Sequence, residues 1–359
     1  VIEVGTTYIS RHLDEIERFV MRPADFALSA EQAELRDVIR AFLTKQCSSE
    51  LVRAAEPLGW DAGLWDALVE LRPIPIALPE VRGGDGGGLV ELALLAEEIG
   101  RSAAPVPIID VVVVARLLAR LDGDAAVALL DRCLEGGVMS LTVGDGVDGR
   151  FLVPNGAVAA TVIGVQGSAV VASTRSAPPP QLPNLAAAPL AWWELEGAQV
   201  LAVGDLALSA FERALAEWRL LTAAALIGSG ESAKNLAADY ARDRNAFGVP
   251  IGAFQAVAHP LADLEILLDS GRRLVHKAAW YADHEPQSLG PLVTMAFLHA
   301  AEAAEEAGLT AIRTQGGFGF TLESDVQLHY RRAKGWALVG GDRATHLQRI
   351  ADELLGARQ

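Results

Sequence analysis

Apolar residues recur at helical spacing through the first third of the chain. Ser29 stands three residues before Gln32 in the capping-box pattern, and Leu35, Val38, Ile39 and Phe42 follow at i, i+3, i+4 and i+7. Residues 29–135 therefore read as an α bundle. From Val138 to about Val203 the texture changes to short β-type runs, "MSLTV", "RFLVP", "AVAATVIGV", "SAVVAS", "LAWWEL" and "AQVLAV", broken by Gly, Asn and "APPPQLPN". Those runs predict a small domain of mostly antiparallel strands. Helices return at Leu206: one to about Arg242, a second from Ala253 to about Asp283, a third from Pro291 to about Thr314, then shorter ones over 322–334 and 343–355. The expected fold is α+β and multidomain: an N-terminal α bundle (25–136), a small middle β domain (137–204) and a C-terminal four-helix bundle (205–359), after an extension (1–24) with no assigned role.

Three local features qualify this pattern. Pro260, in the first turns of the second C-terminal helix, is expected to bend it or leave it irregular. The small residues of "AAALIGSGESA" (223–233) suit close helix packing. The glycine loop in "LPEVRGGDGGGLVELALLAEEIGRSAAPVP" (78–107) opens a helix near Leu89 and invites a phosphate reading. That reading is poor, because no Gly-x-x-x-x-Gly-Lys occurs, no strand precedes the loop and Asp85 puts a negative charge inside it. A connector with φ > 0 positions is the better account.

Composition narrows the function classes. With 359 residues, 51% hydrophobic and 21% charged, the chain has material for two or three cores. A membrane span is not expected. The formal charge of −16 opposes nucleic acid at long range. Cys47 and Cys133 fit neither a disulfide framework nor a metal site, which makes a reducing cytoplasm the default. The start "VIEVGTTYIS" has no basic segment followed by an apolar one, so no secretory signal is expected, and Met21 is a candidate beginning of the domain.

Two loops carry candidate chemistry. "ARDRNAFGVPIGAFQAV" (241–257) holds Arg244, Phe247, Gly248, Pro250, Phe254 and Gln255 between two helices. One reading is a turn made by Gly248 and Pro250, with Phe247 and Phe254 plugging the top of the bundle. The other is a binding loop, and "RTQGGFGF" (313–320) favours it by offering Arg313, Gln315 and the amides of Gly316 and Gly317. Glycines permit close backbone approach, and Arg can form paired charge-assisted bonds to pyrophosphate. Together the two loops point to one dinucleotide.

The α-β-α order, "PEVRGGDGGG…EEIGRS", "ARDRNAFGVPIGAFQAVAHPLADL", "TQGGFGFTLESDVQLHYRRAK" and "HLQRIADELL" together resemble the acyl-CoA dehydrogenases from about residue 25 to the C-terminus. The resemblance implies a tetrameric flavoenzyme that removes two hydrogens from an acyl-CoA, a carboxylate taking the α proton while the β hydride passes to FAD. It implies that Arg244, Phe247, Phe254 and Gln255 contact the ADP half of a FAD held mainly by a neighbouring subunit. Arg313, Gln315, Gly316 and Gly317 would meet pyrophosphate or adenosine across another interface, all of them reaching outward. Electron-transfer flavoprotein is the expected acceptor.

Departures from the family pattern bear on the chemistry. Where relatives carry Thr-Glu-Pro then Gly-Ser-Asp, and a Trp followed by a hydroxyl residue over the flavin ring, this chain has "SLTVGDGVDGR" and "FLVPNGAVA". Counting back from "LQRI" puts Asp342 where relatives place the catalytic Glu; it is also a favoured N-cap of the final helix. Glu217, beside Trp218 near a second position relatives use for the base, reads as a solvated face residue. Arg219 matches an arginine that relatives keep near the substrate, or is a helix-surface charge. An intact ADP grip beside an eroded ring side resembles the smaller subunit of α2β2 members that act on steroid side chains or other bulky acyl-CoAs. The alternatives are a homotetramer using Asp342, and a binding or scaffold protein on the same fold.

Overall fold

A computed structural model describes residues 27–286, 289 and 291–355; the expected extension and Met21 lie outside the described residues. The first helical region comprises α1 (Ala30–Gln46), α2 (Ser49–Ala54), α3 (Ala62–Glu70), α4 (Leu89–Arg101), α5 (Ile108–Arg120) and α6 (Asp124–Leu134). The predicted capping box opens α1, with Ser29 Oγ accepting from the Gln32 amide at 3.1 Å and Gln32 Oε1 accepting from the Ser29 amide at 3.0 Å. Ile39 and Leu43 are buried on its inner face, whereas Val38, expected with them, is 52% exposed. The glycine loop is a connector: the amide of Leu89 at the start of α4 donates to the Asp283 carboxylate, so a side chain of the protein already occupies that helix end.

The middle region contains β1 (Met139–Leu141), β2 (Arg150–Val153), β3 (Thr161–Gln166), β4 (Ala169–Thr174), β5 (Ala191–Glu194) and β6 (Gln199–Val203). One sheet has the order β1-β3-β4-β6, and β2 pairs with β5 in a second. Every pair is antiparallel except β1–β3. Alternation along β5 turns Trp193 into a small core with Val153, Ala159, Val162 and Ala191, and leaves Trp192 toward solvent. Trp193 Nε1 donates to the Gly156 carbonyl at 2.9 Å, which ties the two sheets' connecting turn to that core.

The axis of the molecule is α7 (Asp205–Asp243), 39 residues and hence about 58 Å long. After it come a hairpin of β7 (Asn245–Ala246) and β8 (Val249–Pro250), then α8 (Gln255–His284), α9 (Leu292–Gln315), α10 (Val326–Val339) and α11 (Arg343–Leu355). Residues 220–230 of α7 are all buried, and their small side chains let α4 and α9 approach closely. A Cβ on Gly100 would stand 1.8 Å from the Ala225 carbonyl oxygen, and one on Gly228 would stand 1.9 Å from that of Glu97. Pro260 does not interrupt α8, which stays helical from Gln255 to His284. The helix expected at 322 begins four residues later, because Gly316–Phe320 form a 3-10 turn and Ser324 is held by Gln315.

Candidate functional site

Where α7 ends, the chain reverses through a two-residue hairpin. Phe247 (φ 54°) and Gly248 (φ 85°) both take the left-handed conformation that such turns require. Gly248 does so freely, but a bulky residue at positive φ is strained. The strain presents Phe247 to solvent: it is 95% exposed, and its ring meets Phe254 edge-on at 6.2 Å. The turn half of the first reading holds, but neither ring plugs the bundle, so its plug half fails. Arg244 and Gln255 are exposed beside them.

The second loop converges on the same end of the bundle. The first turns of α8 and the last of α9 enclose a groove of about 550 Å³ lined by Ala256, Val257, Pro260, Arg313 and Thr314 among others. Arg313 is exposed, with Glu306 at 3.9 Å as its one ion-pair partner among the described residues. Gly316 (φ 62°) and Gly317 have open space where a Cβ would be, and Phe318 and Phe320 are exposed after them. Gln315 departs from the expectation that it reaches outward. It is buried and accepts from Ser324 Oγ at 2.7 Å, because that bond closes the 3-10 turn.

Between the β region and the helices lies a cavity of about 90 Å³, lined by Asp110, Asn155, Trp218, Thr222, Arg332 and Trp336 among others. Asp110 is 2% exposed and accepts from Trp218 Nε1 at 2.8 Å, Ser140 Oγ at 3.0 Å and Asn155 Nδ2 at 2.6 Å. Burial pushes its carboxyl up to about 6, against the lowering effect of those donors. Sequence reasoning missed this hub. An Asp inside "IIDVVVV" belongs to no motif, and only its burial among the apolar residues around it makes it notable.

Glu217 is also corrected. It is buried, not solvated, and its carboxylate accepts from Arg116 at 3.0 and 3.2 Å and from Arg120, with Arg213 at 3.4 Å. Burial pushes its pKa up, and the surrounding guanidinium groups outweigh that and hold it below the usual carboxylate range. Arginines at 116 and 120, one turn apart on α5, were the available signal. Asp342 is exposed and caps α11, accepting from the Thr345 amide at 2.8 Å; that bond lowers its pKa. It does not line the cavity. Arg219 is half-buried, so it is not a simple surface charge.

A long central helix crossed by antiparallel partners, with a small two-sheet insert against one side, defines a multidomain α–β–α class, and the outward pair of loops is its distinctive feature. Family models match residues 29–122 as "acyl-CoA dehydrogenase, N-terminal domain" and residues 208–355 as "acyl-CoA dehydrogenase, C-terminal domain". The chain belongs to the acyl-CoA dehydrogenase family, oxidoreductases whose cofactor is FAD. It is 30% identical to acyl-CoA dehydrogenase IpdE2 of Mycolicibacterium smegmatis, over 91% of this chain and 100% of that protein. It is 29% identical to acyl-CoA dehydrogenase FadE27 of Mycobacterium tuberculosis, over 92% and 98%. Among solved structures, a chain of the ChsE4–ChsE5 complex from Mycobacterium tuberculosis superposes with a TM-score of 0.84 at 25% identity, covering 94% of this chain and 100% of that one.

The two ends of the cofactor fare differently against these residues. The exposed Arg244, Phe247, Phe254 and Gln255 offer a cation, two aromatic faces and an amide, which suits an ADP moiety approached from outside. The inner cavity does not suit the ring. Pro154 and Asn155 line a space of about 90 Å³. A cavity of about 150 Å³ holds a single benzene ring, so a tricyclic isoalloxazine has no room here.

Proposed function

We propose that this chain is the partner subunit of a heteromeric, FAD-dependent acyl-CoA dehydrogenase, probed from outside by the ADP half of a FAD whose ring lies in the other subunit. The observation that carries this reading is the strained, 95%-exposed Phe247 beside Phe254, an aromatic pair that nothing among the described residues covers. In this reading Arg244 pairs with a phosphate, Gln255 offers its amide, and Arg313 with Gly316 and Gly317 forms a second contact on the neighbouring groove. Gln315 is left out of that set, since it is spent on Ser324. When bound, FAD supplies the acceptor for the β hydride; oxidation and the base belong to the other subunit.

An α2β2 assembly, a bulky acyl-CoA such as one with a steroid-derived acyl group, electron-transfer flavoprotein as oxidant and a cytoplasmic setting complete the proposal. Similarity to a chain of the ChsE4–ChsE5 complex supports the assembly. No helix among the described residues is long and apolar enough to cross a membrane. Domain boundaries at 136/137 and 204/205 are part of the same reading. Co-production with a second dehydrogenase chain is expected to give a yellow, active complex, while this chain alone is colourless or insoluble. Stoichiometric FAD and turnover by this chain alone, abolished by Asp342→Asn, would establish the self-sufficient homotetramer instead.

A further inference from the structure

We propose that the cavity between the β region and the helices is a site for a small N–H cation, ammonium or a short primary amine, held by the Asp110 carboxylate. Asp110 and Glu217 are equally buried, at 2% exposure each, yet their partners are of opposite kinds. Glu217 is paired with Arg116, Arg120 and Arg213. Asp110 receives only neutral donors, from Trp218, Ser140 and Asn155, and no cationic side chain among the described residues pairs with it. Burial and those three donors are the influences on its carboxyl, which at a pKa of about 6 is mostly ionised at pH 7. A buried charge is ordinarily met by an opposite one.

The carboxylate borders a space that a counter-ion can enter. Asp110 lines the cavity of about 90 Å³ together with Asn155, Trp218, Thr222, Arg332 and Trp336. Thr222 is the second, independent sign of a ligand. It is 4% exposed, stands one turn from Trp218 on α7, and its hydroxyl makes no hydrogen bond among the described residues. Buried hydroxyls are ordinarily satisfied, so a free one on the cavity wall offers a further acceptor to an entering N–H. Indole is the side chain that attracts cations best, and two of them, Trp218 and Trp336, belong to the wall.

Size and charge narrow the ligand. A cavity of about 150 Å³ holds benzene, so one of about 90 Å³ admits on the order of four non-hydrogen atoms. Ammonium, methylammonium and ethylammonium meet that limit. Arg332 is the one cationic side chain on the lining among the described residues, and it is bonded to Glu56 at 3.1 Å. That pairing tempers its repulsion of a single charge, while a dication remains disfavoured. Ile99, Val106, Ile109 and Leu190 add apolar surface, which suits a short carbon tail better than a hydrated metal ion.

Calorimetric titration of the full chain, in whatever assembly it is purified, with methylammonium chloride at pH 7 tests the site. Ionic strength is held with tetramethylammonium chloride, whose cation is too large for the cavity and has no N–H. Saturable binding of methylammonium is expected. Asp110→Asn should weaken it roughly tenfold or more, the scale of a charge-assisted hydrogen bond, and Thr222→Val, which keeps the shape of the side chain, by roughly fivefold. Thr222→Val carries the test if Asp110→Asn does not fold. Methanol, a neutral molecule of the same size, and potassium chloride, a cation without N–H, are expected to bind at least roughly tenfold more weakly. Absence of saturable methylammonium binding, equal binding of methanol or potassium, or binding unchanged in either variant overturns the proposal. Flavin plays no part in the readout, so the result is separate from the fate of the partner-subunit reading.

Discussion

At the residue scale, the side chains that matter most are those whose surroundings contradict their type. Glu217 is a carboxylate inside the protein, held by three arginines. Glu217→Gln leaves those charges uncompensated and is expected to cost about 3–5 kcal/mol in urea denaturation, far more than a solvated glutamate would. Phe247 is the inverse case, an aromatic outside it. Phe247→Gly relieves the left-handed backbone and removes almost no buried surface, so the chain alone should gain up to about 1 kcal/mol. In the assembled complex the same change should lower flavin retention, read from absorbance after gel filtration. Asp110 gives a pH signature. Its folded pKa of about 6 lies above the ordinary 3.8, so its contribution is fully present below about 3.8 and is lost as pH rises through 6. His276 and His329 are lowered by burial to about 4 from 6.5, so theirs is present above 6.5 and is lost as pH falls toward 4. The signs oppose between pH 4 and 6. Asp110→Asn removes the descending part, and its denaturation midpoint should climb more steeply with pH over that interval than that of the unmodified protein.

At the scale of elements, close helix contacts decide what α4 and α7 tolerate. Gly100→Ala would drive a methyl into the Ala225 carbonyl, 1.8 Å from the ideal Cβ. The backbones must separate, and overpacking of this kind costs about 1–3 kcal/mol or more. Gly144→Ala, with nothing within 4 Å and an ordinary φ, is the control and should leave the thermal midpoint unchanged. Element identity was largely legible in the sequence, because amphipathic spacing and capping residues act locally: α1 starts behind Ser29 and α7 ends beside Arg242 as expected. What depends on distant partners was not. Nothing near Gln315 in the chain announces that Ser324 folds back onto it, and nothing near Glu217 says that α5 will face it with Arg116 and Arg120. The outward loops were legible for the opposite reason. Their chemistry is carried by consecutive residues and needs no tertiary partner to display it.

At the scale of the whole molecule, the polar groups and aromatics of the described residues divide into an outer, exposed set and an inner set already engaged. Trp218, Ser140 and Asn155 all donate to Asp110 beside a space of about 90 Å³, which couples the β region to α5 and α7. Enlarging that space for a flavin ring would break this hub and leave a carboxylate buried without donors, a cost of several kcal/mol that ring binding would have to exceed. The outer aromatics carry no such penalty, since covering Phe247, Phe254, Phe318 and Phe320 removes exposed apolar surface. Cofactor density should therefore follow the number of partner subunits rather than the number of chains. A complex isolated through a tag on this chain is expected to hold about one FAD for every two chains, because one inner cavity in each pair is too small for a ring. Flavin absorbance after denaturation, set against subunit mass by light scattering, measures that ratio. A ratio near one FAD per chain would mean that the cavity opens on assembly, and the division between outer grip and inner hub would then have to be abandoned.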